Sequence, residues 1–142
     1  MKMKQISVFL ENREGRLYDV CNILGENSIS IRALTIAESA DFGVLRMFVD
    51  KPDEALNKLK EAGFSASFSD VVIVEVEDNP GGLAKILKAL VTNKVNIEYM
   101  YAFVEKIKDK ALLVFRFEDI DSAIRVLRDN NIGILSEDIK GV

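Results

Sequence analysis

Two short loops hold the residues best suited to chemistry in this chain: Asn12-Arg13-Glu14-Gly15-Arg16-Leu17 and, 66 positions later, Asp78-Asn79-Pro80-Gly81-Gly82-Leu83. Each follows an apolar, strand-like run and leads into a helical pattern. The first N–H groups of a helix have no intrahelical acceptor, and they carry the positive end of the helix dipole. Glycine beside them tolerates positive φ and lets another group approach the backbone. Such a corner suits an anion, above all a carboxylate. In the second loop Asp78 or Asn79 is placed to cap, Pro80 to preset the first helical residue, and Gly81-Gly82 to clear the approach. In the first, Arg13 and Arg16 flank Gly15, unfavourable for the dipole but helpful to anion capture. Taken alone, a strand–Asx–Gly–helix corner is more often a plain cap than a site. No Gly-Lys-Ser/Thr follows, and the spacing is not that of a dinucleotide loop.

Composition removes much other chemistry. The chain has no histidine, so Ser-His-Asp and Cys-His pairs and the usual zinc and iron ligands are absent. Its one cysteine, Cys21, allows no internal disulfide or Cys-x-x-Cys pair and agrees with a reducing compartment. It falls on an apolar helical stripe and reads as core. The net charge of −4 argues against a nucleic-acid or anionic-membrane surface. No apolar run approaches the ~20 residues of a membrane span, and the start, Met1-Lys2-Met3-Lys4-Gln5, lacks an apolar signal core. We therefore expect a cytoplasmic protein with no cofactor, no metal and no catalytic residues.

The elements that position these loops come in two copies. The segment Glu11 to Ile36 recurs as Glu77 to Ala102. In the first copy Ile6, Val8 and Leu10 alternate along a strand, with Phe9 on its other side. Leu17, Val20, Cys21 and Leu24 fall at helical spacing, and that helix ends near Gly25. Strands follow at Ile29–Ala37 and Gly43–Val49, joined through Glu38-Ser39-Ala40-Asp41. A helix then starts at Pro52 and closes at Gly63, before a short strand Phe64–Phe68. The second copy repeats this order. It has a strand at Val71–Val76, a helical stripe of Leu83, Ile86, Leu87 and Leu90, and strands at Val95–Val104 and Ala111–Phe117 around a charged tip, Glu105 to Lys110. A helix over Ile120–Asn130 and a last strand near Ile132–Leu135 complete it. The longer second hairpin shifts later matches to 68 positions, as for Leu59 and Leu127. Two βαββαβ units predict an α+β chain of two ferredoxin-like domains, 1–69 and 70–142, each an antiparallel sheet with helices on one face. Units of about 70 residues bury marginal cores, so the copies should lean on each other or on a second chain.

The chain resembles tandem ACT-domain proteins, the small regulatory modules of amino-acid metabolism. Asp78-Asn79-Pro80-Gly81-Gly82-Leu83 matches that family's Asp-x-Pro-Gly-x-Leu loop. Val95-Asn96-Ile97-Glu98 matches its entry to the second strand, and the first copy follows through Asn12, Gly15, Leu17 and Ile29-Ser30-Ile31. The resemblance spans the whole chain and is greatest to stand-alone prokaryotic proteins made only of two such domains. It implies a non-catalytic sensor, a homodimer or the partner of an enzyme of amino-acid metabolism, with an amino acid held between paired domains. One pocket would set Asn12, Arg13, Gly15, Arg16 and Leu17 opposite Asn96 and Ile97. The mirror pocket would set Asp78, Asn79, Gly81, Gly82 and Leu83 opposite Ser30 and Ile31. Backbone N–H groups would hold the α-carboxylate, while Asn12, Asn96 and Asp78 could hold the ammonium. Arg13-Glu14 replaces the motif's x-Pro and Ser30 replaces its asparagine, so the two pockets are not equivalent.

Other features read more blandly. The strand from Tyr99 onward is apolar on both faces, which asks for a second cover from a partner or ligand. Tyr99 and Tyr101 could stack on a base, but no RNA-binding signature accompanies them. Glu75 with Glu77 and Glu137 with Asp138 read as surface. A ligand-free assembly module is the rival reading; an acylphosphatase would need an arginine cradle in a Gly-x-Val-Gln-Gly-like loop, which is missing.

Overall fold

The computed structural model describes residues 1–38, 41–106 and 108–135 of the 142. Its elements are β1 (Met3–Glu11), α1 (Arg16–Glu26), β2 (Ile31–Glu38), β3 (Phe42–Val49), α2 (Pro52–Glu61), β4 (Ser65–Glu77), α3 (Gly82–Thr92), β5 (Ile97–Ala102), β6 (Lys110–Phe117) and α4 (Ile120–Asp129). The chain divides into two compact units, Lys4–Ser69 and Met1–Met3 with the residues from Asp70 onward. Each carries two helices on one face of an antiparallel sheet, a ferredoxin-like arrangement.

In the first unit the strands lie in the order β2-β3-β1, with β4 beside β1. β1 and β3 pair antiparallel, Val8 opposite Leu45, and β2 pairs with β3, Ile36 opposite Leu45. The alternation of β1 works as its sequence demands: Ile6, Val8 and Leu10 are buried while Phe9 is 58% exposed. They pack with Leu45 and Met47 of β3, Val20 and Leu24 of α1, and Ala55 and Leu59 of α2, so both helices cover the same sheet face. In the second unit the order is β4-β6-β5. Val72, Val74 and Val76 of β4 and Phe115 and Phe117 of β6 meet Ile86 and Leu90 of α3 and Leu127 of α4.

The structure departs from the expected strands at three places. The short strand Phe64–Phe68 and the strand Val71–Val76 are one uninterrupted strand, β4, because Ser69-Asp70 holds no residue that ends a strand. The last expected strand, Ile132–Leu135, is reduced to an isolated bridge between Ile134 and Val74. β5 stops at Ala102, short of Val104, which is 75% exposed. On β5 Met100 packs toward the helices, whereas Tyr101 and Phe103 are buried. Leu17 leaves its expected stripe and is 38% exposed, and Cys21 is half-buried outside the core cluster, its thiol pKa pushed up by burial. Ser39, Ala40, Ile107, Glu137 and Asp138, named above in two hairpins and a carboxylate pair, lie outside the described residues. Among the described residues no helix is long and apolar enough to cross a membrane.

Candidate functional site

The two loops fold alike in most of their backbone bonding, the second adding a bond from the Gly82 N–H to the Asn79 carbonyl at 3.1 Å. Asn12 N–H donates to the Asp41 carbonyl at 3.1 Å, and Asp78 N–H to the Asp109 carbonyl at 3.3 Å. Arg13 N–H and Asn79 N–H turn back to the carbonyls of Glu11 and Glu77 at 2.8 and 2.9 Å. Each loop then places a left-handed glycine at the helix N-cap: Gly15 at φ 86° and Gly81 at φ 88°. An L-residue pays for that conformation, and glycine does not. No side chain caps either helix. This corrects the expected caps: neither Asp78 nor Asn79 seals α3, and Pro80 lies outside it. The αL glycine swings the chain so that Asn79 turns to Glu77 (3.4 Å) and Asp78 pairs with Lys106. By contrast α4 is sealed. Asp119 accepts from the Ser122 N–H and hydroxyl at 3.2 and 2.7 Å, which holds its carboxyl below the usual range.

A Cβ on Gly15 or Gly81 would meet nothing within 4 Å, so both helix tips face open space. Gly82 is held differently: a Cβ there would lie 2.2 Å from the Glu77 carbonyl oxygen. In the first loop Arg16 replaces it. Its guanidinium lies 4.4 Å from the centre of the Phe64 ring and 3.4 Å from the Asp19 carboxylate. Asn12, Arg13, Arg16 and Leu17 line a hollow of about 170 Å³ with Ile36, Glu38 and Phe42. Those last three were invisible to sequence reasoning, because only the β1–β3 and β2–β3 registers bring them beside the loop. A wider, shallower apolar depression lies among Phe9, Ala37, Phe42 and Val44.

The strand entries repeat as faithfully. Asp50 N–H donates to the Ser30 carbonyl at 3.1 Å and Glu118 N–H to the Asn96 carbonyl at 3.3 Å. In return the Ser30 backbone N–H donates to the Asp50 carboxylate at 2.9 Å, and the Asn96 side-chain amide to the Glu118 carboxylate at 3.1 Å. Directly after each, the pairing slips by one residue, between Ile31 and Ala33 and between Ile97 and Tyr99. Such a bulge re-aims neighbouring side chains. Arg32, the extra residue of the first, has its Nε shut from solvent with no hydrogen-bond partner among the described residues.

Loop and strand entry do not meet within one unit. Glu11 pairs with Phe42 and Ile31 with Val49, at opposite ends of β3, so about seven residues and roughly 23 Å of strand separate them. Each unit's own loop and its own strand entry thus stay apart.

Among the described residues no cluster of three or more His, Cys, Asp or Glu is placed to hold a metal ion. No curated protein matches the sequence. Among solved structures, the chain is 42% identical to a Bacteroides thetaiotaomicron protein, covering 95% of this chain and 92% of that one with a TM-score of 0.89. It shares its fold with the ligand-free regulatory subunit of aspartate kinase from Thermus thermophilus, at 19% identity, 89% and 90% coverage and a TM-score of 0.61. The same subunit from Thermus flavus matches at 19% identity and 0.57, again over 89% and 90%. A family model described as an ACT domain pair matches residues 1–140. With that match over nearly its whole length, the chain belongs to the ACT family as a pair of ACT domains.

Proposed function

We propose that this chain is a non-catalytic amino-acid sensor whose ligand is held between ACT domains, where a glycine loop of one faces the strand entry of another. The observation that carries this reading is the pair of helix tips behind Gly15 and Gly81, neither capped by a side chain and each with a left-handed glycine whose Cβ position meets open space. The ligand's carboxylate binds there, and the loop and strand-entry residues supply polar partners for its ammonium. Because loop and strand entry lie at opposite ends of a unit, a complete pocket needs two domains. A homodimer provides further pairings, and the exposed Phe9 and Phe42 give it an apolar surface to cover. By analogy with the kinase regulatory subunits that share the fold, the sensor acts on an enzyme of amino-acid metabolism.

Thermal-shift screening against the standard amino acids tests this. At least one is expected to raise the melting temperature of the parent chain. Gly81→Val should fold with a lower unliganded melting temperature, because its side chain meets open space but its backbone is strained at φ 88°, and it should lose the ligand-induced rise at its own pocket. No response to any amino acid would favour the ligand-free assembly module instead.

A further inference from the structure

We infer that the second domain contains an open hollow, matched in the first domain by a site already filled by Arg16, and that this hollow takes the carboxylate of a free amino acid on Lys85. This rests on the reading of the chain as an amino-acid sensor, and it replaces the pocket between domains by one lined by the second domain alone.

Like positions in the two copies hold different side chains. Gly82, Lys85 and Ala89 of α3 stand where Arg16, Asp19 and Ile23 stand in α1. Ile132, which follows α4, stands where Phe64 follows α2. The local backbone repeats too: Phe64 N–H bonds the Leu59 carbonyl at 3.0 Å, and Ile132 N–H the Leu127 carbonyl at 2.9 Å. The residues before them, Gly63 and Asn131, are both left-handed, at φ 90° and 56°.

In the first copy these positions form a closed set. The Arg16 side chain crosses from the helix tip to the Phe64 ring and is steadied by Asp19, with its Nε shut off from solvent. In the second copy residue 82 has no side chain, and a hollow of about 160 Å³ remains, whose lining includes Glu75, Glu77, Gly82, Lys85, Lys110 and Ile132. That is about half the lower end of drug-sized pockets (~300 Å³), which suits an occupant the size of one amino acid. The hollow is kept open by its neighbours as well. A Cβ on Gly82 would strike the Glu77 carbonyl, and one on Gly133 would lie 2.7 Å from the Glu75 carboxylate.

Charge decides the class of occupant. Asp19 holds the cationic plug of the first copy; its counterpart Lys85 presents the opposite sign. With Glu77 also on the lining, the occupant that matches both charges is a zwitterion, its anionic group on Lys85. Lys110 is already engaged by Glu75 at 3.3 Å, which leaves Lys85 as the cation for the carboxylate. Ile86, Ala89 and Ile132 give an apolar floor, and Glu77 at the rim provides an acceptor for an ammonium.

Isothermal calorimetry of the full chain, with the standard amino acids added one at a time, tests the assignment. One amino acid per chain is expected to bind. Lys85→Ala should weaken it about tenfold or more, the loss of one charge-assisted hydrogen bond, and Lys85→Arg should restore most of it. Ala89→Leu should abolish binding by filling the hollow, with an unliganded melting temperature close to the parent's. If the parent binds an amino acid but Lys85→Ala and Ala89→Leu bind as the parent does, the hollow is not the site and the sensor reading survives. If the parent binds none, both fall.

Discussion

Gly81 and Gly82 are adjacent glycines required for different reasons. Gly81 must be left-handed, but a Cβ on it would point into open space. Gly82 is helical, yet a Cβ on it would overlap the backbone carbonyl of Glu77, which cannot swing away as a side chain can. Alanine at 81 therefore costs the strain of one left-handed residue, about 1–2 kcal/mol. Alanine at 82 forces the whole turn to move and should cost more, roughly 3 kcal/mol at the upper range of overpacking. Urea denaturation of both variants checks the order, and a milder effect at 82 would mean the turn is softer than its geometry indicates. The sequence showed both loops clearly, because the repeat aligns Gly15 with Gly81. It did not show which residue begins the helix. Pro80 and the Asx residues carry strong start signals, and only the αL turn at Gly81 displaces them. Nor could it show Phe42, Glu38 or Lys110 beside the loops, since strand register rather than sequence proximity brings them there.

At the scale of elements, the two copies also end their first helices identically. α1 and α3 each stop at an asparagine, Asn27 and Asn93, whose side-chain amide bonds the carbonyl four residues back at 2.8 Å. A left-handed residue follows, Ser28 or Lys94, both at φ 57°. Glycine is the usual residue there. The Lys94 N–H bonds the Val91 carbonyl at 3.1 Å, a bond that glycine would keep, whereas Ser28 also offers its carbonyl to Lys51 at 2.9 Å. Lys94→Gly should stabilise the protein, by about 0.5–1 kcal/mol, as relief of left-handed strain outweighs the greater freedom of glycine in the unfolded chain. A higher midpoint with an unchanged slope in denaturant would establish it; a lower midpoint would count against the strain argument. The helices themselves were legible from apolar spacing: Val20 with Leu24, Leu59, Ile86 with Leu90, and Leu127 are all buried. Leu17 misled because the stripe begins before the helix has turned its face to the sheet. The fusion of two expected strands into β4 was hidden because Ser65 to Asp70 alternates weakly and carries no glycine or proline to mark a stop or a continuation.

At the scale of the whole molecule, the sensor reading turns on a difference in free energy. A ligand changes a partner's activity only as far as it binds one state of the chain better than another, and the partner must shift ligand affinity by the same factor. The same linkage governs stability. An amino acid at one hundred times its dissociation constant adds about 2.7 kcal/mol to the folded state. For a chain of this length that should raise the melting temperature by roughly 8–12 °C, scaling with the logarithm of ligand concentration. Because it grows with ligand rather than protein, it separates a sensor from an assembly module, whose melting temperature would follow chain concentration through dimer formation. Melting curves in which both concentrations are varied independently would make the distinction, and a midpoint that follows only the protein would leave the uncapped tips of α1 and α3 without a ligand.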